Sequence, residues 1–132
     1  MSVKQKLREL AKAASEKAYS PYSLAQVGSA LVTSSGKFYS GCNVENASYG
    51  GTVCAERVAI FKAVSEGEQK ITSLYVYTKA GWPPCGFCRQ VLSEFADGET
   101  QIIIGDESGH EKVISMQDIL PLAFGADDLE KK

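Results

Sequence analysis

Thr52-Val53-Cys54-Ala55-Glu56-Arg57 and Pro84-Cys85-Gly86-Phe87-Cys88-Arg89 carry the reading of this 132-residue chain. The second stretch follows a strand-like run and a proline, and both open apolar helical patterns. Each therefore sets cysteine at the start of a helix, where the helix end and the side chain face the same space. The spacing brings three thiols and one carboxylate toward a single point.

Thiolates suit zinc, and a catalytic zinc keeps three protein ligands and leaves its fourth position to water. A structural site would need a fourth ligand. The chain offers only Cys42 or its single histidine, His110, and neither stands at ligand spacing from Cys54, Cys85 and Cys88. Three sulfurs plus water is the better count. Glu56 follows Cys54 by two, a step that diverges by about 200° in mid-helix. In a first turn, however, Cβ bonds tilt toward the N-terminus, so both side chains can approach an ion lying off the helix end. A carboxylate there can take a proton from an activated water and hand it on. Three thiolates leave the site negative overall. Two helix N-termini supply compensating positive charge, and Arg57 and Arg89 are placed to donate to the sulfurs. Taken singly, the cysteines could be buried apolar thiols, or Cys85 and Cys88 a redox pair, but a redox pair does not require Cys54-x-Glu56.

Composition sets the frame. One domain is expected, with 44% apolar and 23% charged residues in the ordinary globular range. A net charge of −2 argues against a nucleic-acid groove, which needs clustered Lys and Arg. No apolar run approaches a membrane span, and no leader-like segment opens the chain. A cytoplasmic protein with reduced thiols is expected.

Along the chain, Ser2 and Gln5 form a capping box for an amphipathic helix to about residue 18. Residues 26–33 and 37–43 read as strands around Ser34-Ser35-Gly36. Asn43, Glu45 and Asn46 then leave the strand as turn formers or binding groups. Cys42 reads as a buried strand thiol. Thr52 is the expected N-cap of a largely buried helix to about Glu66. Residues 71–79 form a strand, and the next helix ends near Asp97-Gly98. Residues 101–105 and 111–114 are the last strands, with His110 a solvated loop residue between them. Ser115 and Asp118 cap a short final helix, and residues 125–132 are expected to fray. Helix and strand alternate enough for a layered α/β domain.

The sequence Cys54-Ala55-Glu56-Arg57 followed by Pro84-Cys85-Gly86-Phe87-Cys88-Arg89-Gln90 resembles the zinc signature of the small, three-cysteine cytidine deaminases, whose chemistry is already established. The likeness extends from Ala18-Tyr19-Ser20-Pro21-Tyr22-Ser23 through Gly41-Cys42-Asn43-Val44-Glu45-Asn46-Ala47 to Leu120-Pro121 and Phe124. It implies a three-layer α-β-α sandwich around a central five-stranded mixed sheet, and one zinc per subunit. It implies hydrolytic deamination of cytidine and 2'-deoxycytidine in pyrimidine salvage, with Glu56 carrying protons; the Ala55 amide, between ligand and acid, is a candidate contact to the ring. Asn43 and Glu45 match the residues that hold the ribose hydroxyls, pointing to a nucleoside rather than a free base. The resemblance further implies a homotetramer with shared sites, in which Tyr49 and Phe124 reach a neighbour's substrate.

One position departs from the family. Ala25 stands where a phenylalanine usually packs beside the pyrimidine, and the adjacent Leu24, at strand period, points the other way. Trp82, in a loop shorter than usual, can supply an aromatic surface in its place. Deamination of modified or N4-substituted cytidines, or of a cytosine-containing antibiotic, is the alternative. The rival from another class is a structural zinc module that catalyses nothing.

Overall fold

The computed structural model describes residues 1–130. Its frame is a sheet of five strands in the order β2-β1-β3-β4-β5. These are β1 (Gly28–Thr33), β2 (Phe38–Cys42), β3 (Ile71–Tyr77), β4 (Gln101–Gly105) and β5 (Glu111–Ser115). Only the β3–β4 pair is parallel, so the sheet is mixed as expected. Helix α1 (Val3–Ser15) covers one face. Helices α2 (Ala55–Ser65), α3 (Gly86–Glu94) and α4 (Met116–Ile119) stand on the other, and α5 (Ala126–Leu129) follows.

Strand alternation sorts the core into two clusters. Ala30, Val32, Tyr75, Tyr77 and Ile103 face Leu7 and Ala11 of α1. Leu31, Leu74 and Ile102, in register across three strands, face Ala59, Ile60, Ala63 and Leu92. Two glycines let the layers close. A Cβ on Gly28 would lie 1.8 Å from the Ala11 carbonyl oxygen, and one on Gly41 2.7 Å from the Ala59 amide nitrogen. The sandwich predicted from the resemblance is thus present.

Several local expectations are corrected. The Ser2–Gln5 capping box forms, but α1 ends at Ser15, where bonds from Lys17 to Ala14 and Ala18 to Ser15 tighten the chain into a turn. Strand β1 starts at Gly28 because Asn43 takes the backbone groups just before it. Its Oδ1 accepts from the Val27 amide and its Nδ2 donates to the Ala25 carbonyl. Leu24 lies in no strand: it adopts a left-handed turn with φ of 64° and is exposed. Thr52 does not cap α2, since its hydroxyl accepts from the Asn46 amide, and the N-cap is Cys54. Helix α2 is less buried than expected, with Phe61 and Lys62 open to solvent on its outer side. Helix α3 stops at Glu94, and Cys42 is half-buried, its thiol 3.5 Å from the Lys17 carbonyl oxygen. The Ser115 hydroxyl caps α4 as predicted. Over 125–130 Asp128 accepts from the Gly125 amide and α5 forms, and Lys131 and Lys132 of the expected frayed tail lie outside the described residues.

Candidate active site

Helices α2 and α3 begin side by side, and their first residues carry the chemistry. Cys54 is the N-cap of α2 and Cys85 the N-cap of α3, while Cys88 lies in the first turn of α3. Neither N-cap cysteine uses its side chain to cap its helix, so both sulfurs remain available. The Cys54 and Cys85 sulfurs are 3.6 Å apart, and those of Cys85 and Cys88 3.5 Å. All three lie within 4.8 Å of one another. A tetrahedron with zinc–sulfur bonds of about 2.3 Å has edges of about 3.8 Å, so the three thiols already describe one of its faces. Among the described residues, no fourth histidine, cysteine or carboxylate joins the group.

Glu56 supplies the second test of fit. It is only 4% exposed, and its Oε1 is buried with no hydrogen-bond partner. An orphaned carboxylate oxygen is costly unless something polar completes it. Burial pushes the Glu56 carboxyl up to about 7, against the pull of its own backbone amide, and the neighbouring Cys54 adds to the rise. Cys54 moves the other way. Its thiol is drawn down to about 5, first by Cys88, against burial, and next by Arg57. The Cys88 thiol is raised in turn by sharing a hydrogen with Cys54 and by burial. Three thiols grouped beside two helix N-termini suit a divalent zinc. The residues present therefore fit the ion.

The two arginines part company here. Arg57 Nη2 lies 3.5 Å from the Cys54 sulfur, and its guanidinium also lies over the Phe87 ring, a contact the sequence reading did not include. Arg89 does not reach a sulfur. It donates from Nε to the Pro84 carbonyl and from Nη1 to the Ile119 carbonyl, satisfying the loop before α3 and the end of α4.

A cavity of about 340 Å³ opens over the sulfurs, within the usual size range for small-molecule sites. Ala25, Asn43, Glu45, Cys54, Ala55, Glu56, Trp82 and Cys85 all line it. The Ala55 amide is among the first of α2, which have no partner within the helix. Asn43 and Glu45 reach the wall, but both also brace the loop before β1. Glu45 accepts from the Tyr22 amide at 3.0 Å, from the Ser23 amide at 3.1 Å and from the Ser23 hydroxyl. Tyr49 and Phe124 do not line this cavity. Tyr49 stands exposed, edge-on to Tyr22, and Phe124 is exposed beyond the end of α4. Sequence reasoning missed Thr78, which joins the wall and accepts from the Trp82 amide at 2.7 Å. Its place one residue past β3, at the strand period of Leu74 and Val76, was the available signal.

Residues 1–104 match the family model described as the cytidine and deoxycytidylate deaminase zinc-binding region. A cytidine deaminase of Halalkalibacterium halodurans is 47% identical over 118 residues, covering 88% of this chain and 89% of that protein. One of Sporosarcina psychrophila is 42% identical, covering 95% and 93%. Among solved structures, the cytidine deaminase of Burkholderia pseudomallei superposes with a TM-score of 0.88 at 44% identity, over 94% of this chain and all of that one. The match over residues 1–104, with relatives 42% and 47% identical along most of both chains, shows that the chain belongs to the cytidine and deoxycytidylate deaminase family.

Proposed function

We propose that this chain hydrolyses cytidine and 2'-deoxycytidine to uridine and 2'-deoxyuridine, with release of ammonia. The observation that carries the reading is the buried, unpartnered Oε1 of Glu56 beside the three-sulfur face of Cys54, Cys85 and Cys88. Zinc, when bound there, supplies a water acidic enough to act as nucleophile at neutral pH. Glu56 accepts a proton at Oε1, passes it to N3 of the cytosine ring, and carries a second to the departing nitrogen. The Ala55 amide orients the ring, and Arg57 damps the charge on the Cys54 thiolate. Asn43 keeps one amide hydrogen beyond its bond to Ala25, and Glu45 accepts at its outer lone pairs. Both serve the ribose hydroxyls while holding the loop in place.

The whole chain acts as one domain in a cytoplasmic homotetramer serving pyrimidine salvage. Tyr49 and Phe124 of each subunit complete a neighbour's site, which is why they stand exposed here. The substrate is a free nucleoside, not a polynucleotide. Among the described residues no helix is long and apolar enough to cross a membrane.

The test follows cytidine loss by ultraviolet absorbance with zinc measured on the same sample. Glu56→Gln should keep its zinc and lose turnover by at least the roughly 100- to 10,000-fold expected of a general acid–base group. Wild-type rates in that variant would refute the role.

A further inference from the structure

Arg57 has few anchors for a side chain that must stay on a sulfur. Its Nη2 lies 3.5 Å from Cys54 Sγ, and its Nε is buried with no hydrogen-bond partner. No carboxylate pairs with it: the ion pairs among the described residues join Lys4 and Arg8 to Glu111, and Lys70 to Asp97. Arg89, by contrast, is fixed by two backbone carbonyls at 2.8 and 2.9 Å. Sulfur is a weak acceptor, and holding a long side chain at one point costs rotamer freedom. Something besides the sulfur must keep the guanidinium in place.

The ring of Phe87 meets that need. Its centroid lies 5.6 Å from the guanidinium carbon, within the range at which a ring face attracts a cation. Arg57 stands in the first turn of α2, and Phe87 in the first turn of α3 between Cys85 and Cys88. The ring therefore reaches from the helix that carries two sulfurs to the residue that serves the third. Core packing does not account for it. Phe87 belongs to neither core cluster, is 74% exposed, and does not line the cavity over the sulfurs.

We infer that Phe87 is a positioning residue for the deamination, holding Arg57 against Cys54 and so keeping electron density on that sulfur low. This rests on the deaminase reading above. A sulfur that gives up less charge leaves a bound zinc better able to acidify its water. Phe87 touches neither the sulfurs' open side nor the substrate cavity, so its loss slows the chemical step and leaves nucleoside binding alone. The face of the ring matters more than its bulk. Tyrosine offers a cation the same face, and leucine fills similar space without one.

Cytidine kinetics, with zinc measured on the same samples, test the assignment. Phe87→Leu should lower kcat by about two- to fivefold and leave KM and zinc content near their wild-type values, whereas Phe87→Tyr should retain kcat. In the Arg57→Gln protein the same Phe87→Leu change should lower kcat no further, because the ring then has no cation to hold. Cobalt(II) in place of zinc gives a readout independent of activity. A thiolate that loses a donor moves its sulfur-to-cobalt charge-transfer band to lower energy. Phe87→Leu and Arg57→Gln should both shift that band to longer wavelength, and Phe87→Tyr should not. An equal loss of kcat from Phe87→Leu with and without Arg57 would overturn the inference, as would an unchanged kcat or an unmoved band. A wild-type protein that leaves cytidine intact defeats the deaminase reading itself, and the cobalt band still tests the action of Phe87 through Arg57.

Discussion

Arg57 and Arg89 occupy matching places, each one step after a residue that serves the site, yet they end on different acceptors. Arg57 meets the Cys54 sulfur and Phe87, whereas Arg89 holds two backbone carbonyls. A hydrogen bond to a charged group contributes about 1.5–3 kcal/mol, so Arg57→Gln should lower turnover by roughly tenfold or more while zinc content stays near one per chain. Unchanged turnover in that variant would contradict its role. Residue types were legible here and directions were not. The spacing placed Cys54, Glu56, Cys85 and Cys88 at one point because a helix N-terminus fixes where short side chains aim. A long guanidinium instead follows whichever unpaired acceptor lies in reach, and for Arg89 that acceptor is the carbonyl of Ile119, 30 residues away.

At the scale of elements, the site depends on how closely α2 seats on β2. A methyl added at Gly41 would press on the Ala59 amide at 2.7 Å and the Ala55 carbonyl oxygen at 2.9 Å, both backbone atoms of α2. Gly41→Ala should therefore destabilise the protein by about 1–3 kcal/mol, the usual cost of overpacking, and reduce turnover by shifting Cys54 and Glu56. Gly28→Ala presses on α1, in the opposite layer, and should lower the melting temperature with a smaller loss of turnover. Thermal melts and kinetics on the two variants check the contrast; full stability and activity in Gly41→Ala would contradict it. The strands and helices themselves could be read from periodicity, since Leu74 on one face alternates with Tyr75 and Tyr77 on the other, and Val76 follows Leu74 at strand period into the cavity wall. Element ends were less legible. Asn43 replaces strand bonds before Gly28, and Thr52 serves the Asn46 amide instead of capping α2, both tertiary choices that local pattern does not encode.

For the whole molecule, a single chain leaves large apolar side chains uncovered: Tyr49 is 76% exposed, Phe87 74% and Phe124 57%. In the proposed assembly, Tyr49 and Phe124 are covered by neighbouring subunits. Light scattering should give the mass of four chains, and Phe124→Ala should raise KM for cytidine more than it lowers kcat; a monomeric mass would contradict shared sites. Nothing in the sequence pattern alone distinguishes a surface aromatic that waits for a neighbour from one that is merely solvated. The central claim is more direct: three sulfurs hold one zinc and leave a position for water. X-ray absorption at the zinc edge, on wild type and Cys42→Ser, tests it. The account predicts one zinc per chain in both, with three sulfur neighbours at about 2.3 Å and one oxygen. Absence of zinc, or a fourth ligand from the polypeptide that Cys42→Ser removes, would contradict it.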